Sequence, residues 1–304
     1  MTWTKKMPAN PVVAVCGATG AVGQEMLKVL AQRDFPAKEV IALASAKSAG
    51  KKVPFADGEL TIREMTPESF EGVDIALSAL KNPVAMEYRP HIVGAGAVMI
   101  DNSSAFRMTE GVPLVVPEVN ADAIATHEGL IANPNCSTIQ MVVALKALND
   151  IAHIKRVVVS TYQAASGGGQ AAMAELYDQT RGFLDDKPFE PHAFAHQIAF
   201  NCIPHIDVFL DDDSTKEEWK MVVETKKIFG DDTIQVAPTC VRVPALRCHA
   251  ESINVEFDAP VSVEQAKAAF EAAPTITLMD DPAHNVYPMP GLLQGTDDTY
   301  VGRV

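Results

Sequence analysis

The segment "NPNCSTIQ" sets a single thiol, Cys136, between a Pro-Asn turn and an apolar, helix-patterned run that includes Ile139, Val142, Val143 and Leu145. A cysteine in the first turn of a helix is a nucleophile candidate, because the positive end of the helix dipole favours the thiolate. The dipole contributes only about 0.3–1 kcal/mol against about 1.4 kcal/mol per pKa unit, so a thiol with an ordinary pKa near ~8.5 needs a further partner. Eight histidines are available, and His249 is the most suggestive, because it follows an Arg-bearing strand broken by Pro244 in "CVRVPALRCHAESINVEF". On one uninterrupted strand Arg242 and His249 would face opposite ways, since their separation is odd, and the proline break is expected to let them converge. Taken alone, a histidine there reads equally as a satisfied strand-end residue. Asn135 and the Cys136 amide are placed to donate to an oxyanion, each such donor being worth about 10²–10³ in rate. Turn and N-cap chemistry explains Asn133 and Asn135 as readily.

A second group is "VVAVCGATGAVGQEML", a strand, a glycine turn and a helix with Gly17, Gly20 and Gly23 in G-x-x-G-x-x-G spacing. Glycines there let backbone amides approach a pyrophosphate at a helix N-terminus; the bland alternative is a tight turn without ligand. The next strand ends in "SAKSAGKK" rather than in an acidic residue. Ser45, Lys47 and Ser48 offer two hydroxyls and a cation suited to a 2'-phosphate, which favours NADP over NAD. Lys51 and Lys52 read as a solvated basic loop.

These residues need elements to position them. Residues 11–135 alternate short β-rich runs ("PVVAVCG", "EVIALAS", "VDIALSAL", "AVMIDNSS", "LVVPEV") with helical patterns, which predicts a doubly wound parallel sheet. Beyond Cys136 the strands lengthen ("KRVVVSTYQAAS", "TIQVAPTCVRV", "SINVEFDA"), which predicts a mixed sheet. The expected fold is α/β: a Rossmann-like NADP-binding domain over residues 1–133, then an α+β catalytic and dimerisation domain over 134–304, with Cys136 at their junction, where ligand sites concentrate. Ser214-x-x-Glu217 reads as a capping box opening a helix after the solvated run Asp211 to Asp213, with Glu217 and Lys220 an i, i+3 pair.

The 304 residues, 47% hydrophobic and 21% charged, describe a globular chain of about two domains. A formal net charge of -14 argues against nucleic acid or an anionic membrane as partner, and makes each basic residue beside a motif informative about anionic ligands. No apolar run is long enough for a membrane span, and "MTWTKKMPANP" lacks a secretory core, so a cytoplasmic location is expected. Five cysteines without Cys-x-x-Cys spacing argue against disulfides and structural zinc, and Cys16, Cys202, Cys240 and Cys248 are expected to be buried and inert.

In order and approximate spacing, "GATGAVG", "SAKSAGK", "DNSSAFR", "VPEVN", "NPNCSTIQ", "TYQAASGGG", "IAFNCIPHIDVF", "EEWKMVVETKKI" and "RVPALRCHAES" resemble the aspartate-semialdehyde dehydrogenases over essentially the whole chain. The resemblance implies reductive dephosphorylation of L-aspartyl 4-phosphate by NADPH to aspartate 4-semialdehyde and phosphate, by a homodimer, in lysine, threonine and methionine synthesis. By resemblance Cys136 is the nucleophile that forms a thioacyl enzyme, His249 the acid/base, and Gln163 the residue that orients the substrate. Arg242 would bind the substrate carboxylate, Glu217 its ammonium, and Arg107, Asn135 and Lys220 the phosphate. The implied cofactor set is Gly17, Thr19, Gly20, Ala21, Val22, Gly23, Ser45, Lys47 and Ser48, with Ser166 and Gly167 from the glycine run Gly167 to Gly169; no metal is implied. Lys47 stands where the resemblance leads one to expect arginine, and a C-terminal segment reaching back to the cofactor is expected to be absent after "GTDDTYVGRV". The competing readings are a related acyl-phosphate or acyl-CoA reductase, and a catalytically silent NADP-binding homologue or subunit.

Overall fold

A computed structural model describes residues 5–304; the first four residues of the opening segment lie outside them. The chain forms two compact units, the first running to Val115 and including Ala121–Pro134, the second comprising Val116–Asn120 and Asn135–Val304. No helix among the described residues is long and apolar enough to cross a membrane.

In the first unit, β1 (Val12–Cys16) is followed by α1 (Ala21–Gln32), β2 (Glu39–Ala44), the hairpin β3 (Lys52–Phe55) and β4 (Gly58–Thr61), β5 (Arg63–Glu64), β6 (Ile75–Ser78), α2 (Asn82–Gly94), β7 (Val98–Asp101) and β8 (Leu130–Ala132). Six of these strands form one parallel sheet in the order β5-β2-β1-β6-β7-β8. Their apolar runs are buried, as a sheet covered on both faces requires. The chain leaves β1 toward β2 on one side and pairs it with β6 on the other, so the order reverses beside β1, where open α/β sheets bind ligands at the strands' carboxyl ends. Two details differ from the sequence expectation. "LVVPEV" is not a strand: Leu114 makes an isolated bridge to Ala132, and Pro117–Asn120 is a helical turn, α3, that belongs to the second unit. Pro117 lacks the N–H a ladder needs and suits the first position of a helix. The basic stretch after Gly50 runs into the β3–β4 hairpin.

The second unit contains α3, α4 (Cys136–Asn149), β9 (Ile154–Gln163), α5 (Gly169–Leu184), α6 (Lys216–Phe229), β10 (Gln235–Arg242), β11 (Ala250–Phe257), α7 (Val263–Ala272), β12 (Ile276–Leu278), α8 (Pro290–Leu293) and β13 (Thr299–Val301). Its sheet is mixed: β9 is central, with β10 parallel on one edge and β11 antiparallel on the other. Thr161 and Gln163 of β9 are buried on one face, whereas Val158 and Tyr162 are exposed on the other.

The helix α6 shows how one residue of register decides function. Its N-cap is Thr215, whose hydroxyl accepts from the Glu218 amide while Glu218 accepts from the Thr215 amide, and Gly230 closes it with φ of 64°. The capping box is therefore Thr215 with Glu218, not Ser214 with Glu217. Ser214 instead bonds Asp212 in the preceding turn. With Glu218 occupied by the cap, Glu217 falls on the buried stripe with Lys220, Met221 and Glu224.

Candidate active site

Cys136 is the first residue of α4, and Asn135 is its N-cap, the side-chain carbonyl accepting from the amides of Ser137 and Thr138. The Asn135 amide group points away from the helix and donates to Glu217 Oε1 at 2.9 Å, so Asn135 is both the cap expected of it and a member of the site. Cys136 Sγ lies 3.1 Å from His249 Nε2. Arg242 and His249 do converge across the interruption that contains Pro244, which separates two strands. Arg242 ends β10 opposite Gln163, and His249 immediately precedes β11, whose Ala250 pairs with Tyr162. The two strands flank β9, so one end of a three-stranded sheet gathers Arg242, Gln163 and His249.

The peptide groups around Ala164 orient both. The Ala164 amide donates to His249 Nδ1 at 2.9 Å, and Arg242 Nη1 donates to the Ala164 carbonyl at 2.7 Å. A neutral imidazole whose Nδ1 accepts carries its proton on Nε2, so the nitrogen facing sulfur is a donor. Burial, followed by the Arg242 charge, lowers the His249 pKa to about 4, with Glu217 opposing, so the ring is neutral at pH 7. In this tautomer Nε2 can donate a hydrogen bond to a thiolate at Cys136; acting as a base toward the thiol at Nε2 requires the ring to release the Ala164 amide. Burial lowers the Arg242 pKa, and the Cys136 sulfur and Glu217 carboxylate push it back up. Cys240 pushes it up as well, and among the three the Glu217 carboxylate is the charge that Arg242 balances.

Glu217 is the hub of the site. Its Oε1 accepts from Asn135 and, at 3.1 Å, from Gln163 Nε2; its Oε2 pairs with Lys220 Nζ at 3.0 Å. Gln163 is buried rather than an exposed strand residue, and Thr161 fixes its amide by donating to Oε1. Lys220 is also 2.6 Å from Asp207 Oδ2. Its charge is matched by two carboxylates, so the phosphate-binding role expected of it competes with that pairing. Sequence reasoning missed Asp207, which sits inside the quoted block "IAFNCIPHIDVF" without a spacing signal, and Glu224, which accepts from the Asn135 backbone amide at 2.6 Å. It also placed Cys202 among the buried thiols, whereas Cys202 is exposed and Cys248 intermediate; Cys16 and Cys240 are buried, with pKa values pushed by burial to about 12.

Gly167 lies against this site: a Cβ there would come within 2.8 Å of Arg242 Nη1 and 3.3 Å of His249 Cε1. Ser166 next to it donates its amide to Leu246 O at 3.0 Å. Gly167→Ala is expected to lower kcat by about 10²-fold, because the methyl displaces Arg242 or the imidazole by a fraction of an ångström to an ångström. Steady-state kinetics with a melting curve would check this; wild-type kcat in a folded protein would contradict it.

The remaining sequence-derived residues lie in the first unit. Gly17 has a φ of +81°, and a Cβ on it would be 2.8 Å from the Ala79 carbonyl at the end of β6. A Cβ on Gly23 would be 2.3 Å from the Gly17 carbonyl, so α1 packs directly on the turn. The N-cap of α1, Gly20, offers no side chain to the first-turn amides of Ala21 and Val22, and the Thr19 carbonyl accepts from Gln24. An uncapped helix start behind a glycine turn at the sheet's switch point fits a pyrophosphate. Ser45, Lys47 and Ser48 form a short 3-10 turn after β2, with Lys47 exposed. Arg107 is buried and donates from Nε to Ser103 O and from Nη2 to Asn102 O.

The family description "Semialdehyde dehydrogenase, NAD binding domain" matches residues 12–127, and "Semialdehyde dehydrogenase, dimerisation domain" matches residues 145–304. The chain is 50% identical over 300 residues to the aspartate-semialdehyde dehydrogenase of Bacillus subtilis, covering 96% of this chain and 87% of that one. The chain belongs to the aspartate-semialdehyde dehydrogenase family. The Aquifex aeolicus relative of that name is 49% identical over 296 residues, again 96% of this chain and 87% of the relative. Among solved structures, an aspartate-semialdehyde dehydrogenase II from Vibrio cholerae complexed with ASA superposes with a TM-score of 0.95 at 45% identity, covering 98% of this chain and 88% of that one. An aspartate-semialdehyde dehydrogenase with NADP from Candida albicans gives 0.73 at 26% identity, covering 97% and 89%. Membership of this family agrees with the two-part α/β architecture and with NADP as cofactor.

Proposed function

We propose that this chain catalyses NADPH-dependent reductive dephosphorylation of L-aspartyl 4-phosphate to L-aspartate 4-semialdehyde through a thioester on Cys136, in the biosynthesis of lysine, threonine and methionine. The carrying observation is Cys136 Sγ at 3.1 Å from His249 Nε2 at the start of a helix. The Cys136 thiolate attacks the acyl carbon, a C–S bond forms, and phosphate departs with the electron pair of the broken C–O bond. NADPH, held by the Gly17–Gly23 turn with Ser45, Lys47 and Ser48 at the 2'-phosphate, supplies the hydride that reduces the thioester. Ser166 and Gly167 are assigned to the nicotinamide side. His249 keeps its proton on Nε2 and donates a hydrogen bond to the sulfur, stabilising the thiolate before attack and again when the C–S bond breaks and returns its electron pair to sulfur. A hydrogen bond from a neutral imidazole serves both moments without a net proton transfer.

The charges of the second unit suit an α-amino acid. Asp207 and Glu217 against one Lys220 leave one negative charge for the substrate ammonium, and Arg242 supplies a positive charge for its α-carboxylate. Gln163 orients the chain between them. The phosphate falls to Arg107 and Asn135, with Lys220 sharing that role only as far as its two carboxylates allow. We assign the enzyme to the cytoplasm, and as a homodimer, the latter supported by the matched dimerisation domain and by the exposed Tyr162, Tyr177, Phe183 and Leu184 of the second unit.

The test is the reverse reaction. NADPH formation from aspartate 4-semialdehyde and NADP is expected to require inorganic phosphate and to yield aspartyl phosphate. Equal rates with and without phosphate would defeat the phosphorylating assignment, and a requirement for coenzyme A instead would move the substrate class.

A further inference from the structure

The Cys136–His249 contact joins two elements, α4 and the entry to β11, and its length depends on how far along the strand the helix rests. The side of α4 that is buried carries Met141, Val142, Ala144 and Leu145, whose apolar contacts are non-directional, and the directional bonds at its start, from Asn135 to Glu217 and Glu224, tie it to α6 rather than to β11. A second, directional contact lies one step away: Gln140 Nε2 donates to Glu251 Oε1 at 2.7 Å. Gln140 follows Cys136 by one helical turn, about 6 Å along the axis, and Glu251 follows His249 by two strand positions, about 6.6 Å. The legs match, so the two contacts are neighbouring rungs between the same two elements.

Glu251 is otherwise out of place. It shares its strand face with Ile253 and Val255, its Oε2 is buried without a hydrogen-bond partner, and burial pushes its carboxyl up to about 8, opposed only by Gln140. A buried carboxyl with an unmatched oxygen lowers stability, which calls for a role other than stability. We propose that Gln140 and Glu251 are positioning residues that set the register of α4 against β11 and thereby hold Cys136 Sγ within reach of His249 Nε2. The proposal rests on the reading of Cys136 and His249 as nucleophile and hydrogen-bonding partner.

The experiment compares wild-type protein with Glu251→Ala, Glu251→Gln, Gln140→Met and His249→Asn. Two readouts are taken: steady-state kinetics of NADPH formation, and iodoacetamide alkylation of Cys136 across about pH 5 to 10, followed on the Cys136 peptide because Cys202 is exposed as well. Glu251→Ala and Gln140→Met are expected to lower kcat by about tenfold or more, with KM for the semialdehyde little changed. Their alkylation midpoints should move toward that of His249→Asn. Glu251→Gln, whose amide carbonyl still accepts from Gln140, should recover most of both. Gln140→Met keeps a straight side chain of similar length, so it carries the test if Glu251→Ala does not fold. Wild-type alkylation profiles in Glu251→Ala and Gln140→Met, beside an altered one in His249→Asn, would overturn the proposal alone, whatever happens to kcat. An unaltered profile in His249→Asn would overturn the underlying reading and the proposal with it.

Discussion

Cys136→Ala is expected to reduce phosphate-dependent NADPH formation by at least about 10⁴-fold, because removing the nucleophile of a covalent mechanism leaves only binding and electrostatic assistance. The side chain is exposed, so its truncation opens no cavity, and stability should remain within about 0.5 kcal/mol of wild type. The loss therefore belongs to chemistry rather than folding. Initial rates and thermal melts of the same preparation separate the two. Residual turnover within tenfold of wild type would mean that no thioester forms at this position.

Glu217→Gln carries the second large effect, and it acts on both stability and turnover. Burial works against the Glu217 carboxylate, but Lys220 and the donors Asn135 and Gln163 outweigh it, and its pKa is lowered below the ordinary carboxylate value. The neutral amide leaves Lys220 paired with Asp207 alone, and one oxygen of the hub becomes a donor facing donors. Breaking a buried pair on one side costs about 3 kcal/mol, and the loosening of Asn135 and Gln163 is expected to lower kcat/KM by about 10²-fold. The sign with pH follows from the lowered pKa. Between the folded and unfolded values the unfolded chain binds the extra proton, so the Glu217 contribution is present above the unfolded carboxylate range and is lost as pH falls through the folded value. The stability gap between wild type and Glu217→Gln should be widest near neutral pH and close in acid. Denaturant midpoints at several pH values would show it, and a gap that widens in acid would refute the assignment.

Several parts of the site are legible in the sequence alone. Cys136 could be placed at a helix start because Asn135 is a good N-cap and the following apolar run has helical spacing, both of which are local. The glycine turn was equally legible, since a positive φ at Gly17 and contact between Gly23 and Gly17 leave room for nothing larger. Other residues were legible only through resemblance: Gln163, Glu217 and Arg242 carry no spacing that separates a ligand from an ordinary strand or helix residue. Local reading also erred where two patterns compete. Ser214/Glu217 and Thr215/Glu218 both satisfy the capping-box spacing, and choosing between them depends on which glutamate the rest of the fold buries.

By itself the sequence determined the alternation of strands and helices, the glycine turn and the position of one thiol at a helix terminus, because each depends on side-chain period, φ preference or capping within a few residues. Only tertiary structure decided which histidine meets that thiol and which of its nitrogens bears the proton. Those outcomes depend on β10 and β11 flanking β9, which brings Arg242 and His249 to opposite sides of one Ala164 peptide. Long-range pairing also decided that Asn135 and Gln163 would join the local partner Lys220 around Glu217. Distances across a sheet are set by register between segments far apart in sequence, and no local periodicity encodes them.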